Sequence, residues 1–76
     1  MISDMMIKSV IQSLKRIPID IYGDNTLLDY DLGFSNSDKE RLIDTLIIDL
    51  GVDLNYSDAN RLRSVGDVIK LVNKRI

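Results

Sequence analysis

The side chains of this chain that could do chemistry are narrowed by the absence of cysteine and histidine among its 76 residues. Without histidine the usual general base and the commonest metal ligand are missing. Without cysteine neither disulfides nor thiolate metal sites can form. What remain are hydroxyls, carboxylates and cations. Asp53, Asp58 and Asp67 are of a type that binds calcium, but no stretch has the ligand spacing of a calcium loop, so they read as turn and cap carboxylates. Gly23-Asp24-Asn25 reads as a turn, since it lacks the glycine pattern and lysine of a phosphate-binding loop. Lys8, Lys15 and Arg16 form a solvated edge, and Arg61, Arg63, Lys70, Lys74 and Arg75 make the last third more basic. A net charge of −2 still argues against nucleic acid as a partner. Ser35 and Ser37, on either side of Asn36, are of the type that caps a helix.

The elements that must position these residues are helices. Met6, Ile7, Val10, Ile11 and Leu14 recur at helical spacing and predict a helix from Ser3 to Arg16. Ser3 suits its cap, Asp4 its positive end, and Lys15 and Arg16 its negative end; Pro18 then stops it. From Ile17 to Asn36 runs a long segment with turn residues, yet Ile19, Ile21, Leu27, Leu28, Leu32 and Phe34 are spread through it. Such a loop is expected to pack over the core rather than hang free. A second helix is predicted to open at Ser37, where Ser37-Asp38-Lys39-Glu40 fits a capping box. Its inward face is Leu42, Ile43, Leu46, Ile47 and Leu50, and Gly51 ends it. Ser57-Asp58-Ala59-Asn60 begins a third, very short helix ending near Leu62. The last helix starts at the capping pattern Ser64-Val65-Gly66-Asp67, with the stripe Val65, Val68, Ile69, Val72 and Ile76.

The expected fold class is therefore all-α: one domain over residues 1–76, four helices, a long first loop and a short third helix. A chain this small buries only about 60% of its unfolded surface, which does not favour a deep catalytic cavity. No apolar run is long enough to span a membrane. Met1-Ile2-Ser3-Asp4 has no basic region followed by an apolar stretch, so a cytoplasmic monomer is expected.

The pattern resembles the acyl carrier protein family from about Met6 to Val72, without a gap. Asp31-Leu32-Gly33 matches the Asp-Leu-Gly that leads into the carrier motif. Ile7, Val10 and Ile11 fall where the first helix packs, and Leu42, Ile43 and Leu46 where the second does. Leu54, Ala59, Leu62, Val65, Ile69 and Val72 keep the spacing to the end. The resemblance implies a four-helix carrier rather than an enzyme. It also implies that a serine within Asp-Ser-Leu, at the start of the second helix, carries phosphopantetheine, whose thiol holds acyl groups as thioesters. The implied partners are acyl-transferring or acyl-modifying enzymes of a specialised fatty-acid or secondary-metabolite pathway, and a phosphopantetheinyl transferase.

The chain departs from that motif at the decisive residue. Asn36 aligns with the serine, and asparagine cannot form the phosphodiester. A one-residue shift would let Ser37 carry the arm, with Asn36-Ser37 standing in for Asp-Ser. Ser35 is the second candidate, although nothing acidic precedes it. Alternatively the site is lost, and the fold works unmodified as a protein-interaction module. The resemblance further implies a partner-binding second helix, here bearing Asp38, Arg41, Asp44 and Ile48. Ile48 points about 170° away from the inward stripe on a helix of 3.6 residues per turn. Positions 41, 47 and 48 are commonly acidic in the family and are Arg, Ile and Ile here, which points to a dedicated partner.

Overall fold

In the computed structural model, which describes residues 2–15 and 23–75, the chain forms helix α1 (Asp4–Lys15), α2 (Asn36–Leu50), a short 3₁₀ helix (Tyr56–Arg61) and α3 (Val65–Arg75). No strand occurs among the described residues, so the all-α expectation of four helices with a short third one holds. The expectations for Arg16, Pro18, Ile17, Ile19, Ile21 and Ile76 fall outside the described residues.

Helix α1 begins as its sequence implies. Ser3 Oγ accepts the Met6 N–H at 3.2 Å, satisfying a donor that the first turn cannot pair internally. Ile7, Val10 and Ile11 are buried and Leu14 is partly so. Met6 is exposed instead. It sits one position before Ile7 on the helix, so the buried arc turns past it.

The first loop, followed from Gly23, is pinned to the core by backbone and side chains together. Leu28, Leu32 and Phe34 are buried, as expected of a packed loop, whereas Leu27 is exposed. Leu27 meets Ser64 in an isolated bridge, and the chain turns directly after it, with the Asp31 and Leu32 N–H groups donating to Leu27 O, so Leu28 and Leu32 enter the core while Leu27 stays outside. Leu28 N–H donates to Arg63 O and Val65 N–H to Thr26 O, each at 2.9 Å. Asp31-Leu32-Gly33 closes this loop. Asp31 Oδ2 accepts the Leu27 N–H at 2.7 Å, Leu32 fills the core, and Gly33 turns the chain at φ 73, where a side chain would be strained. Phe34 N–H then donates to Leu28 O at 2.8 Å.

Helix α2 carries the central core residues Leu42, Ile43 and Leu46 and packs on α1 and on the 3₁₀ helix. Two expectations need correction. The helix opens one residue earlier, at Asn36, and its cap is Ser35 rather than Ser37. Ile47, expected inside, is 37% exposed, and Leu50 is only partly buried. Gly51 ends the helix in the left-handed region (φ 66), and its N–H donates to Ile47 O at 3.0 Å, as a helix-terminating glycine should.

The short helix is 3₁₀ and begins at Tyr56, one residue before the expected start. Asp58 starts it by accepting the Asn55 N–H at 3.0 Å. It is also the one buried charged residue among those described, at 3% exposure. Arg75 answers it with a two-pronged contact, Nη2 to Oδ1 at 3.0 Å and Nη1 to Oδ2 at 3.2 Å. Pairing of this kind is what makes a buried carboxylate tolerable. Helix α3 is capped as the sequence implies: Ser64 Oγ accepts the Asp67 N–H, and Asp67 Oδ2 accepts the Ser64 N–H. Val65, Val68, Ile69 and Val72 are buried, and Leu71 joins them. No helix among those described is long and apolar enough to cross a membrane.

Candidate functional site

The Ser35-Asn36-Ser37 triplet lies where the first loop becomes α2, and each residue is held differently. Ser35 is extended (φ −83, ψ 176) and is the cap. Its Oγ accepts the Asp38 N–H at 3.1 Å, and its own N–H donates to Asp38 Oδ2 at 2.9 Å. This is a reciprocal capping box with aspartate in the usual glutamate role. The Ser35 hydroxyl therefore already has a structural duty. Asn36 is the first residue within the helix and is exposed. It is also the residue that the family resemblance is expected to set at the position of the modified serine. Ser37 follows, exposed, and its hydroxyl makes no hydrogen bond to another described residue. The backbone N–H groups of Asn36 and Ser37 likewise find no acceptor among the described residues, the normal state of a helix's first turn.

Asp38 ties this turn to the rest of the molecule. Lys15 Nζ, from the last turn of α1, lies 2.9 Å from Asp38 Oδ2, and Arg41 Nη1 is 3.8 Å from Oδ1. The Ser35 N–H, and then Lys15, stabilise the ionised carboxyl and hold its pKa at about 2, since donors aimed at a carboxylate favour its charged form. Lys15 Nζ also sits 5.6 Å from the centre of the Phe34 ring, within cation–π range.

Beside the triplet, a groove of about 310 Å³ opens between the start of α2 and the 3₁₀ helix, lined by Asn36, Lys39, Glu40, Tyr56, Ser57, Ala59 and Asn60. Its far wall is set by Tyr56, whose hydroxyl donates to Asp44 Oδ1 at 2.8 Å. That carboxylate keeps the phenol protonated, so the Tyr56 pKa is raised.

The structure distributes the expected partner-facing residues unevenly. Ile48 is 79% exposed, as its helical position implies, and Arg41 is exposed beside it on the outer face. Asp44 is half-buried and spoken for by Tyr56. Asp38 is turned into its own helix cap and toward Lys15. Sequence reasoning set Ile47 both on the inward stripe and among the altered outer positions, and its exposure agrees with the second; it missed Tyr56, which is also exposed. Helical spacing alone put Ile47 at the edge of the inward stripe, and nothing local signals that Tyr56 meets Asp44.

No family model matches the chain, and no curated protein does. Solved structures do match. One is a candidate acyl carrier protein from Mycobacterium tuberculosis, similar at TM-score 0.83 and 28% identity over 93% of this chain and 95% of that one. With its described helices in an arrangement similar to that structure, the chain has the acyl carrier protein fold.

Proposed function

We propose that the protein is an acyl carrier whose phosphopantetheine is attached to Ser37, and that it presents acyl thioesters to enzymes of a specialised fatty-acid or secondary-metabolite pathway. The observation that carries this reading is the state of the Ser37 hydroxyl. It is exposed in the first turn of α2 and uncommitted to any described residue, whereas the Ser35 hydroxyl is engaged in the cap.

The residues present suit the group. A phosphate at this turn meets the positive end of α2 and its unpaired N–H groups. Lys39, half-buried, lines the groove that begins at Asn36, the residue before Ser37. The polar groove that starts at Asn36 gives amide-bearing chains several donors and acceptors. When bound, the arm supplies a thiol for thioester formation. The protein's own share is to hold the attachment point on a rigid turn and to offer the outer face of α2, with Arg41 and Ile48, to its partners.

The reading is tested by intact mass after incubation with coenzyme A and a broad-specificity phosphopantetheinyl transferase. A gain of one phosphopantetheine that Ser37→Ala abolishes and Ser35→Ala retains supports it. No gain with any transferase, including that of the native host, would reduce the protein to an unmodified interaction module.

A further inference from the structure

Asn36 has a chemical liability of its own that the carrier reading does not use. An asparagine can lose its side-chain amide when the backbone nitrogen of the next residue reaches the side-chain carbonyl carbon. Inside a helix that nitrogen is occupied by the carbonyl four residues back. In the first turn it is not. Asn36 opens α2, and the Ser37 N–H has no acceptor among the described residues. Both residues are exposed, so water reaches the site. The following residue is small, which leaves room for the ring to close. The other asparagines differ. Asn25 precedes a β-branched threonine whose N–H donates to Gly23 O at 3.1 Å. Asn55, Asn60 and Asn73 precede the bulkier Tyr56, Arg61 and Lys74.

We propose that Asn36 is a site of spontaneous deamidation whose rate is set by the Ser35–Asp38 capping box. The Ser37 backbone nitrogen bonds to the Asn36 side-chain carbonyl carbon and loses its proton. The carbon–nitrogen bond of the side-chain amide breaks, and ammonia leaves with that proton. Water then opens the five-membered ring at either carbonyl, giving aspartate or isoaspartate at position 36. Nothing is oxidised or reduced, and water is the sole co-reactant.

The brake follows from geometry. Ring closure needs the Asn36 backbone to rotate out of its helical conformation. That rotation swings Ser35 away from Asp38 and breaks the 2.9 and 3.1 Å bonds of the box. Lys15, held on Asp38 at 2.9 Å, resists the same motion. The aspartate product keeps the backbone connectivity and places a carboxylate directly before Ser37, at the positive end of α2 where negative charge is favoured. The reaction itself does not depend on Ser37 carrying anything.

The full chain is aged in heavy-oxygen water at mildly alkaline pH, and label is located by peptide mass. Three proteins are compared: the parent, Ser35→Ala, and Ser35→Asp, which keeps a cap acceptor. Circular dichroism confirms that each is folded. Label is expected in the peptide bearing position 36, with Ser35→Ala converting several-fold faster than the parent and Ser35→Asp matching it. Absence of label at position 36 in the parent, or equal rates in the Ser35→Ala and Ser35→Asp proteins, overturns the proposal. Because no coenzyme A or transferase is present, failure here is distinct from failure of the carrier reading.

Discussion

Lys15 and Asp38, at the end of α1 and the beginning of α2, meet at 2.9 Å, and the same carboxylate caps the helix that bears the candidate attachment serine. The contact therefore couples the junction of two helices to the geometry of the site. Its dependence on pH has a definite sign. The folded-state pKa of Asp38 is lowered from 3.8 to about 2, chiefly by the Ser35 N–H and then by Lys15. A depressed carboxyl pKa contributes stability above the unfolded value and loses it as pH falls through the folded one. Asp38→Asn is expected to be less stable than the parent at neutral pH. The gap should close as pH drops from the unfolded value towards the folded one. Urea midpoints of both proteins across that window check this; a gap that stays constant there would contradict it.

Gly66 sets two effects against each other. Alanine is the better helix former, by about 1 kcal/mol. Yet a Cβ at this position would lie 2.9 Å from the backbone oxygen of Asp24, which accepts the Gly66 N–H. Backbone cannot step aside as a flexible side chain can, and overpacking typically costs about 1–3 kcal/mol. Gly66→Ala should therefore be a net loss, seen as a lower urea midpoint with unchanged slope. An increase would mean that the loop yields freely.

Three consecutive residues of α2 test its register. Leu46 is fully buried, Ile47 is 37% exposed and Ile48 is 79% exposed. Leu46→Ala should cost about 2–5 kcal/mol through lost burial and the cavity left behind. Ile48→Ala should stay within about 0.5 kcal/mol, as surface changes do, and Ile47→Ala should fall between. Chemical denaturation of the three variants reads the order directly, and any other ranking would place α2 in a different rotation.

The buried pair of Asp58 and Arg75 answers to a separate rule. Removing one member of such a pair strands the other, at about 3–5 kcal/mol. Arg75→Met leaves the buried Asp58 carboxylate with the Asn55 N–H alone, so it should fall within that range. Asp58→Ala strands an Arg75 that keeps some solvent contact but also removes the carboxylate that starts the 3₁₀ helix through the Asn55 N–H, so it should cost a similar amount. Hydrogen exchange at the amides of Tyr56–Arg61 is expected to rise in both variants, and unchanged exchange would show that the pair does not hold this segment.

How much of this was legible beforehand depended on the reach of each interaction. The caps at Ser3, Ser64 and Gly51 were readable because partner and cap lie within a helical turn of each other. At α2 two serine-x-x-acid patterns overlap, Ser35 with Asp38 and Ser37 with Glu40, and local rules cannot separate them. Lys15 reaching Asp38 from another helix supports the first. Asp58 was correctly read as a cap carboxylate, but its union with Arg75, 17 residues away, left no local mark, and Arg75 looked like one more surface cation. The same distance problem hid the Tyr56–Asp44 contact, 12 residues apart. The candidate site was thus found as a triplet, while the division of labour within it had to come from the cap.

That division leads to the sharpest test of attachment. The fold places Asn36 at the opening of α2, and the family resemblance leads one to expect the modified serine at this position. If helix position governs recognition by a transferase, Asn36→Ser in a Ser37→Ala background should accept phosphopantetheine, and should do so faster than the parent does at Ser37. Asn36→Asp, with Ser37 intact, asks the complementary question by restoring an acidic residue before the serine. On the reading proposed here it should load faster than the parent, because the Asp-Ser pair is then complete one residue along. Initial rates by intact mass distinguish the outcomes. Faster loading of Asn36→Asp supports Ser37 as the displaced site. Loading of the Asn36→Ser, Ser37→Ala protein alone would mean that the fold keeps its original site, which a single asparagine has silenced.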